Sequence, residues 1–381
     1  MVRQNEKEPA DCNSASSTST NVLDLHVYDT TIAPLCQDTP EQELTVKFQP
    51  KKLLSLQLAA CYERLGYQSK AFRTADCGSF LEFARTAGGG GIADLRGDPT
   101  GILASRNPHH ADSKFKLHNA NFCRDRLCPM CSWRRSYKIF GQVSQIMNAI
   151  GSKYTYLFLT LTIPNCSPDD LSSVLSDLQK SWNRFIGYKR IRDAVRGFFK
   201  ALEVTRNPVT GFYHPHFHVV LAVDKKYFKD KRYISRDEWL QLWQKAARDS
   251  SITQVDIRRA KSKKTADGEN AVAALSSAVA EIAKYAVKSA DYLFEDPALT
   301  DEVVSVLVPA LNNRRLCSFG GVFEDVRRQL KLDDAEDGDL VHLDGDLNSD
   351  LAIQIYRYGW SAGAYKLIEV IDHSSLESGV T

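Results

Sequence analysis

The stretch HPHFHVVL, residues 214–221, sets three histidines at alternate positions and then turns apolar, in a chain of 381 residues that holds only nine histidines. Side chains along a β-strand alternate between its two faces, so His216 and His218 share one face while Phe217 and Val219 take the other. One face is therefore core, and the other carries two imidazoles about 7 Å apart. Immediately upstream, GFFKALEVT (197–205) has the pattern of a partner strand, joined through a turn containing Asn207, Pro208 and Gly211. That turn sets Glu203 across from 216–218 and leaves Thr205 on the same face. Two imidazoles and a carboxylate form a mixed nitrogen and oxygen donor set. Such a set accepts Mn²⁺ or Mg²⁺ and leaves positions free for water and phosphate oxygens. His216, His218 and Glu203 are thus the candidate metal ligands, with His214, nearest the turn, outside the pair.

The flanking segments extend the same architecture. In residues 154–163, Leu157, Leu159, Leu161 and Ile163 fall on one strand face, with Tyr156, Phe158, Thr160 and Thr162 on the other. Ser167, Pro168 and Asp170 then open a helix with apolar positions at 171, 174, 175, 178, 182 and 185. After the hairpin, Ser235 and Glu238 make a capping box for a helix using Trp239, Leu242, Trp243 and Ala246. ITQVDIRR (252–259) reads as a further strand and 270–290 as a long helix. The order β-α-β-β-α-β-α predicts an α+β fold. Its centre is an antiparallel sheet with helices on one face, a split βαβ arrangement of the ferredoxin-like kind, and the other face is left open for a ligand.

Two more constellations carry chemistry. On the helix 270–290, Val272, Leu275, Val279, Ile282 and Ala286 form the buried stripe, while Glu281, Tyr285 and Lys288 share an adjacent edge. A phenol is a poor nucleophile unless its proton is taken or its developing charge is stabilised, and a metal-polarised phosphodiester eases the same step from the other side. The segment CRDRLCPMCSWRRS places Cys128 and Cys131 in a C-x2-C pair with Cys123 as a third sulfur. A structural Zn²⁺ then needs a fourth ligand, for which Cys77 is the first choice and His118 the runner-up. Arg124, Arg126, Arg134, Arg135 and Lys138 surround this segment as candidate phosphate contacts for DNA.

Composition sets the frame. With 43% hydrophobic and 25% charged residues the chain has the makeup of a soluble protein large enough for an enzyme-sized site, and no apolar run reaches the ~20 residues of a membrane span. Residues 331–350 hold eight acidic side chains and one lysine, so the rest of the chain carries 48 basic against 39 acidic residues, a balance suited to a polyanionic partner. The acidic stretch itself reads as a solvated loop. Residues 1–45, rich in Ser, Thr and Asn, read as a disordered tail. A helical region with the cysteine segment follows over 46–150, then a catalytic domain over 151–295 and a C-terminal region over 296–381. No membrane partner is expected, and the absence of a secretory-type N-terminus predicts a cytoplasmic protein.

FLTLTIPN (158–165), HPHFHVVL (214–221) and EIAKYAVK (281–288) resemble, in order and spacing, the three motifs of rolling-circle plasmid replication initiators. Those proteins carry a His-hydrophobic-His (HUH) endonuclease domain. NFCRDRLCPMCSWRRS resembles the cysteine segment of one branch of them, and the likeness covers about residues 77–290. It implies that Tyr285 attacks a phosphodiester at the plasmid's double-strand origin, leaving a 5′-phosphotyrosine and a free 3′-hydroxyl for a polymerase. It further implies that His216 and His218 hold a divalent metal beside Thr160 and Thr162, and that Glu281, one turn before Tyr285, activates water for the terminating cleavage. Tyr292, seven residues on, returns near the same helical side, so a two-tyrosine mechanism stays open. Nothing resembles a Walker A loop, so unwinding would fall to a host helicase. The competing readings are a transposase or relaxase with the same chemistry, and a non-catalytic zinc-knuckle nucleic-acid binder.

Overall fold

The computed structural model describes residues 44–86, 114–260, 263–265, 268–270, 288–343 and 352–372. The described chain begins with α1 (Phe48–Arg64), α2 (Gln68–Asp76), β1 (Phe80–Thr86), β2 (Lys114–Ala120) and α3 (Pro129–Ile150). Next come β3 (Tyr154–Thr162), α4 (Leu171–Gly187), α5 (Lys189–Ala194), β4 (Val195–Arg206), β5 (Tyr213–Asp224), α6 (Arg236–Ala247) and β6 (Asp256–Arg259). A short ribbon of β7 (Lys263–Thr265) and β8 (Gly268–Asn270) precedes α7 (Pro297–Leu311), β9 (Cys317–Gly321), α8 (Val322–Gln329), β10 (Ala352–Ser361) and β11 (Ala364–Asp372).

The fold is α+β, built on antiparallel sheets. The larger sheet has the strand order β6-β3-β5-β4-β9. Its centre is the expected hairpin: Asn207 Oδ1 accepts from the Val209 and Thr210 amides, and Gly211 takes the positive φ of 72° that closes the turn. The resulting register sets Glu203 opposite His216, Thr205 opposite His214, and Thr160 and Thr162 opposite His218 and His216. One face of this sheet, with Leu157, Leu159, Leu161, Phe217, Val219 and Leu221, is sealed by α4, α6 and α7 into the main core. Ser235 Oγ accepts from the Glu238 amide to start α6 as expected, while the Glu238 carboxylate turns outward to Arg190.

Among the described residues, the histidine face is left uncovered only at its 160–162 and 216–218 end. Over the rest of it, Ile139, Val143, Ile146 and Ile150 of α3 and Phe323 of α8 pack against Tyr156, Phe199, Val220 and Ala222. The expected alternation placed these aromatic and aliphatic side chains on that face, and their burial requires a second layer. ITQVDIRR pairs as a strand only from Asp256, because Ile252 and Val255 are drawn into the helical core at 4% and 2% exposure. Residues 271–287 lie outside the described residues, but the end of the predicted 270–290 helix does not hold. Lys288 is extended, and Ser289–Asp291 forms a single 3-10 turn. The cause is Tyr292, whose ring enters the core at 1% exposure and whose hydroxyl donates to the Leu127 carbonyl.

A second antiparallel sheet, β11-β10-β1-β2, pairs strands from the two ends of the described chain. The acidic segment differs from the solvated loop read in the sequence. Ala335, Glu336 and Leu340 are buried, and Glu336 Oε1 accepts from the Leu316 and Cys317 amides at 2.8 Å each, capping the entry to β9.

Candidate metal centres and active site

Two groups of metal-ligating side chains converge among the described residues: Glu203 with His216 and His218, and Cys77 with Cys123, Cys128 and Cys131. In the first, β5 supplies both imidazoles from one face and β4 supplies the carboxylate from the paired position. His216 Nε2 lies 3.1 Å from His218 Nε2, and Glu203 Oε2 lies 2.8 Å from His218 Nε2 and 3.4 Å from His216 Nε2. Ligands each about 2.1 Å from one cation show separations of this size.

The outer partners turn the rings the same way. His216 Nδ1 meets the His214 carbonyl at 3.1 Å and His218 Nδ1 meets Thr160 Oγ1 at 3.3 Å, leaving both Nε2 atoms directed inward. Burial opposes charge on Glu203, but hydrogen bonds from His216 and His218 outweigh it and hold the carboxyl well below the usual carboxylate range. An ionised carboxylate between two imidazoles, buried at its base and open at one end, suits a hard divalent cation. His214 stays outside this trio with its Nδ1 2.7 Å from Asn165 Oδ1. Burial, followed by the charge of His216, lowers its pKa.

Lys288 reaches this centre, its Nζ 3.7 Å from Glu203 Oε1. Tyr285 and Glu281 lie outside the described residues. Asp291 was missed by sequence reasoning; burial raises its pKa, with Lys288 and Glu203 near enough for their charges to act on it. Its only sequence signal was its place six residues after Tyr285, in a stretch read as a helix end. Tyr292 has no access to a phosphate, since its hydroxyl is buried against Leu127.

The cysteine group resolves the choice of fourth sulfur in favour of Cys77. Its Sγ lies 3.5 Å from that of Cys131 and 3.6 Å from that of Cys128, and Cys123 Sγ is 3.6 Å from Cys131 Sγ. His118, on β2, is not part of the group. Three consecutive amides point at sulfur: Cys123 N–H to Cys77, Arg124 N–H to Cys131 and Asp125 N–H to Cys123. Arg124 adopts φ 61° to aim them. Four buried or half-buried sulfurs this close repel one another as thiolates unless a cation offsets them, and the amide donors are those a thiolate cluster requires. The set fits Zn²⁺.

The five basic residues of this segment all meet residues 333–341, and of the five only Arg124 is exposed. Arg126 pairs with Glu336 at 2.7 Å, and Arg134 donates to the Leu340 and Val341 carbonyls. Arg135 donates to the Glu336 carbonyl, Lys138 pairs with Asp333 at 2.7 Å, and Arg124 approaches the Asp337 carbonyl at 3.4 Å. Arg135 and Lys138 are buried. In this arrangement Arg126, Arg134, Arg135 and Lys138 each donate to residues 333–341, and Arg124 is the exposed cation of the five. A partner some 200 residues away left no local trace in the sequence.

An antiparallel sheet with helices packed on it, carrying two imidazoles from one strand and a carboxylate from its neighbour, has the architecture of a HUH-type protein. Similarity to known proteins names the family. A model described as Replication protein matches residues 114–366, and the chain belongs to that family. Relatives called Protein rep include one from Bacillus sp, 38% identical over 287 residues that cover 73% of this chain and 86% of that protein. Another, from Bacillus amyloliquefaciens, is 35% identical over 326 residues, covering 82% and 89%. A third, from Lactiplantibacillus plantarum, is 38% identical over 276 residues, covering 71% and 83%. No solved structure matches the chain. No helix among the described residues is long and apolar enough to cross a membrane.

Proposed function

We propose that the protein is a plasmid rolling-circle replication initiator that binds the double-strand origin and nicks one strand by transesterification. The Tyr285 oxygen attacks the scissile phosphorus and the 3′-oxygen leaves with a proton, giving a 5′-phosphotyrosine and a 3′-hydroxyl primer. One phosphodiester replaces another, so the link keeps the energy needed to rejoin the strand at termination. His216, His218 and Glu203 hold a Mg²⁺ or Mn²⁺ ion, which when bound supplies Lewis-acid stabilisation of charge on the phosphate. Thr160 and the His214 carbonyl orient the two imidazoles, and Lys288 adds a positive charge beside the phosphate. Glu281 serves the terminating cleavage. The cysteines hold a structural Zn²⁺. Single-stranded DNA, a host helicase and a host polymerase complete the cycle in the bacterial cytoplasm.

The observation that carries this reading is the Lys288 ammonium 3.7 Å from Glu203, in a chain of the Replication protein family. Tyr285 stands three residues before Lys288 in the sequence, and that short spacing is what supports its assignment as the nucleophile. Purified protein mixed with labelled single-stranded origin DNA and Mn²⁺ should form a covalent adduct that Tyr285→Phe abolishes. His216→Ala should lose cleavage and keep origin binding. An adduct that survives Tyr285→Phe overturns the assignment of the nucleophile.

A further inference from the structure

At the end of β5 away from the histidines the chain reads KKYFKDKRY (225–233), five cations, three aromatics and one acid in nine residues. Asp224 is eight residues along the strand from His216, which sets this loop about 26 Å from the metal ligands. The proposed chemistry makes no use of it.

The loop is a rigid knob. Tyr227 is buried at 2% and forms two hydrogen bonds with Ile234, its hydroxyl donating to the carbonyl and accepting from the amide. Arg190 donates to the Lys231 and Tyr233 carbonyls from one side, and Arg232 pairs with Asp224 and Asp230 from the other. This bracing pushes two rings outward. Phe228 and Tyr233 are 43% and 45% exposed, their centroids 5.9 Å apart and their planes inclined by 44°. The Arg259 guanidinium of the edge strand β6 lies 5.3 Å from the Phe228 centroid. Lys225, Lys226, Lys229, Lys231 and Arg259 are exposed around the rings.

Folding gains little from holding two large rings in water on a braced loop. Rings of this kind, fixed side by side and ringed by cations, match one ligand chemistry: unpaired bases stacked on the rings with their phosphates on the lysines. A duplex keeps its base faces covered, so it can use the charges and not the rings. We propose that the 225–233 loop, with Arg259, is a docking surface for single-stranded DNA, remote from the cleavage centre. It rests on the reading that the protein works on DNA strands, and it adds where an unpaired strand is held while the origin is open.

The test uses the full chain, an oligo(dT) of about 20 nucleotides, a blunt duplex of equal length and vesicles of phosphatidylglycerol. The double variant F228A/Y233A should lose oligo(dT) affinity by at least about five-fold per ring while duplex affinity is unchanged. Replacing Lys225 and Lys229 with Gln should flatten the dependence of log affinity on log salt by about 0.7 for each phosphate that is no longer neutralised. Phe228→Trp should keep binding, and the new indole fluorescence should be quenched by oligo(dT) but not by duplex, a readout independent of any loss of folding. Equal affinity in the ring variant, or an equal loss for duplex and single strand, overturns the proposal. So does vesicle binding that depends on the two rings while oligo(dT) binding does not. Origin-adduct formation at saturating DNA separates this inference from the proposed function. An intact adduct with no change in oligo(dT) binding defeats the docking surface alone, whereas ring-dependent binding in a protein that forms no adduct defeats the nicking reaction alone.

Discussion

Single residues decide the division between chemistry and packing. Tyr292 stood as a second nucleophile in the sequence because helical spacing returns it beside Tyr285; in the fold it is a buried hydroxyl that satisfies the Leu127 carbonyl. Tyr292→Phe should leave adduct formation intact and cost about 1–3 kcal/mol in urea unfolding, the penalty of a buried carbonyl left without its donor. Loss of the adduct in a folded variant would restore Tyr292 to the mechanism. Lys200 offers a pH test. It lies at 2% exposure with its Nζ 3.9 Å from the Phe217 centroid and donating to Gln179, and burial lowers its pKa to about 7. Its unfolded value is near 10.4, so between about pH 7 and 10 the unfolded chain binds the extra proton and stability rises with pH. Below pH 7 both states are protonated and the cost of burying the charge is fully present. Urea midpoints taken at pH 7, 8 and 9 should therefore climb less steeply in Lys200→Met than in the wild type, and identical slopes would show that Lys200 is not the titrating group.

At the scale of elements, the sequence was most informative where a local rule had one solution. The alternation in 214–221 and the Asn207 to Gly211 turn fixed the β4–β5 register, and with it the meeting of Glu203 with His216 and His218. Three of the four sulfurs were legible from the C-x2-C pair and its neighbour; choosing Cys77 over His118 needed the path of α1 and α2, which no spacing encodes. What stayed illegible were contacts between distant charged segments. Residues 333–341 look like a solvated loop because eight acids in a row of twenty carry no periodicity, yet they dock on α3 through Arg134, Arg135 and Lys138, and on the loop before it through Arg126. Glu336 is the pivot, with one oxygen capping β9 and the other on Arg126. Glu336→Ala leaves two buried amides and a guanidinium without their acceptor, and about 3–5 kcal/mol of stability should go with it. Glu336→Gln, which keeps an acceptor for the amides, should recover part of that loss in the same denaturation experiment; a neutral Glu336→Ala would mean the segment is not docked in solution.

Across the whole molecule, α3 links the two metal-ligating groups. Its first turn supplies Cys131 beside the β11-β10-β1-β2 sheet, in a core that also holds Leu81, Phe83, Leu340 and Tyr358. Its second half, from Ile139 to Ile150, packs on the histidine face of the other sheet, beyond the imidazoles. Loss of the thiolate-bound cation would leave four adjacent sulfurs that burial and mutual repulsion drive apart, and α3 would lose the anchor of its N-terminal end. One zinc per chain should be found by elemental analysis of the purified protein, unchanged in His118→Ala and absent in Cys77→Ser. Removal of that zinc by a chelator should lower the melting temperature by at least about 5 °C. Structural zinc contributes several kcal/mol of folding free energy, and each kcal/mol moves a chain of this size by about 1–2 °C. Because the far end of α3 supports β3 and β5, adduct formation on origin DNA should fall as well, and Mn²⁺ in excess should not restore it while Zn²⁺ should. Restoration by Mn²⁺ alone would show that the cysteine group and the histidine sheet are energetically independent, and that α3 transmits nothing between them.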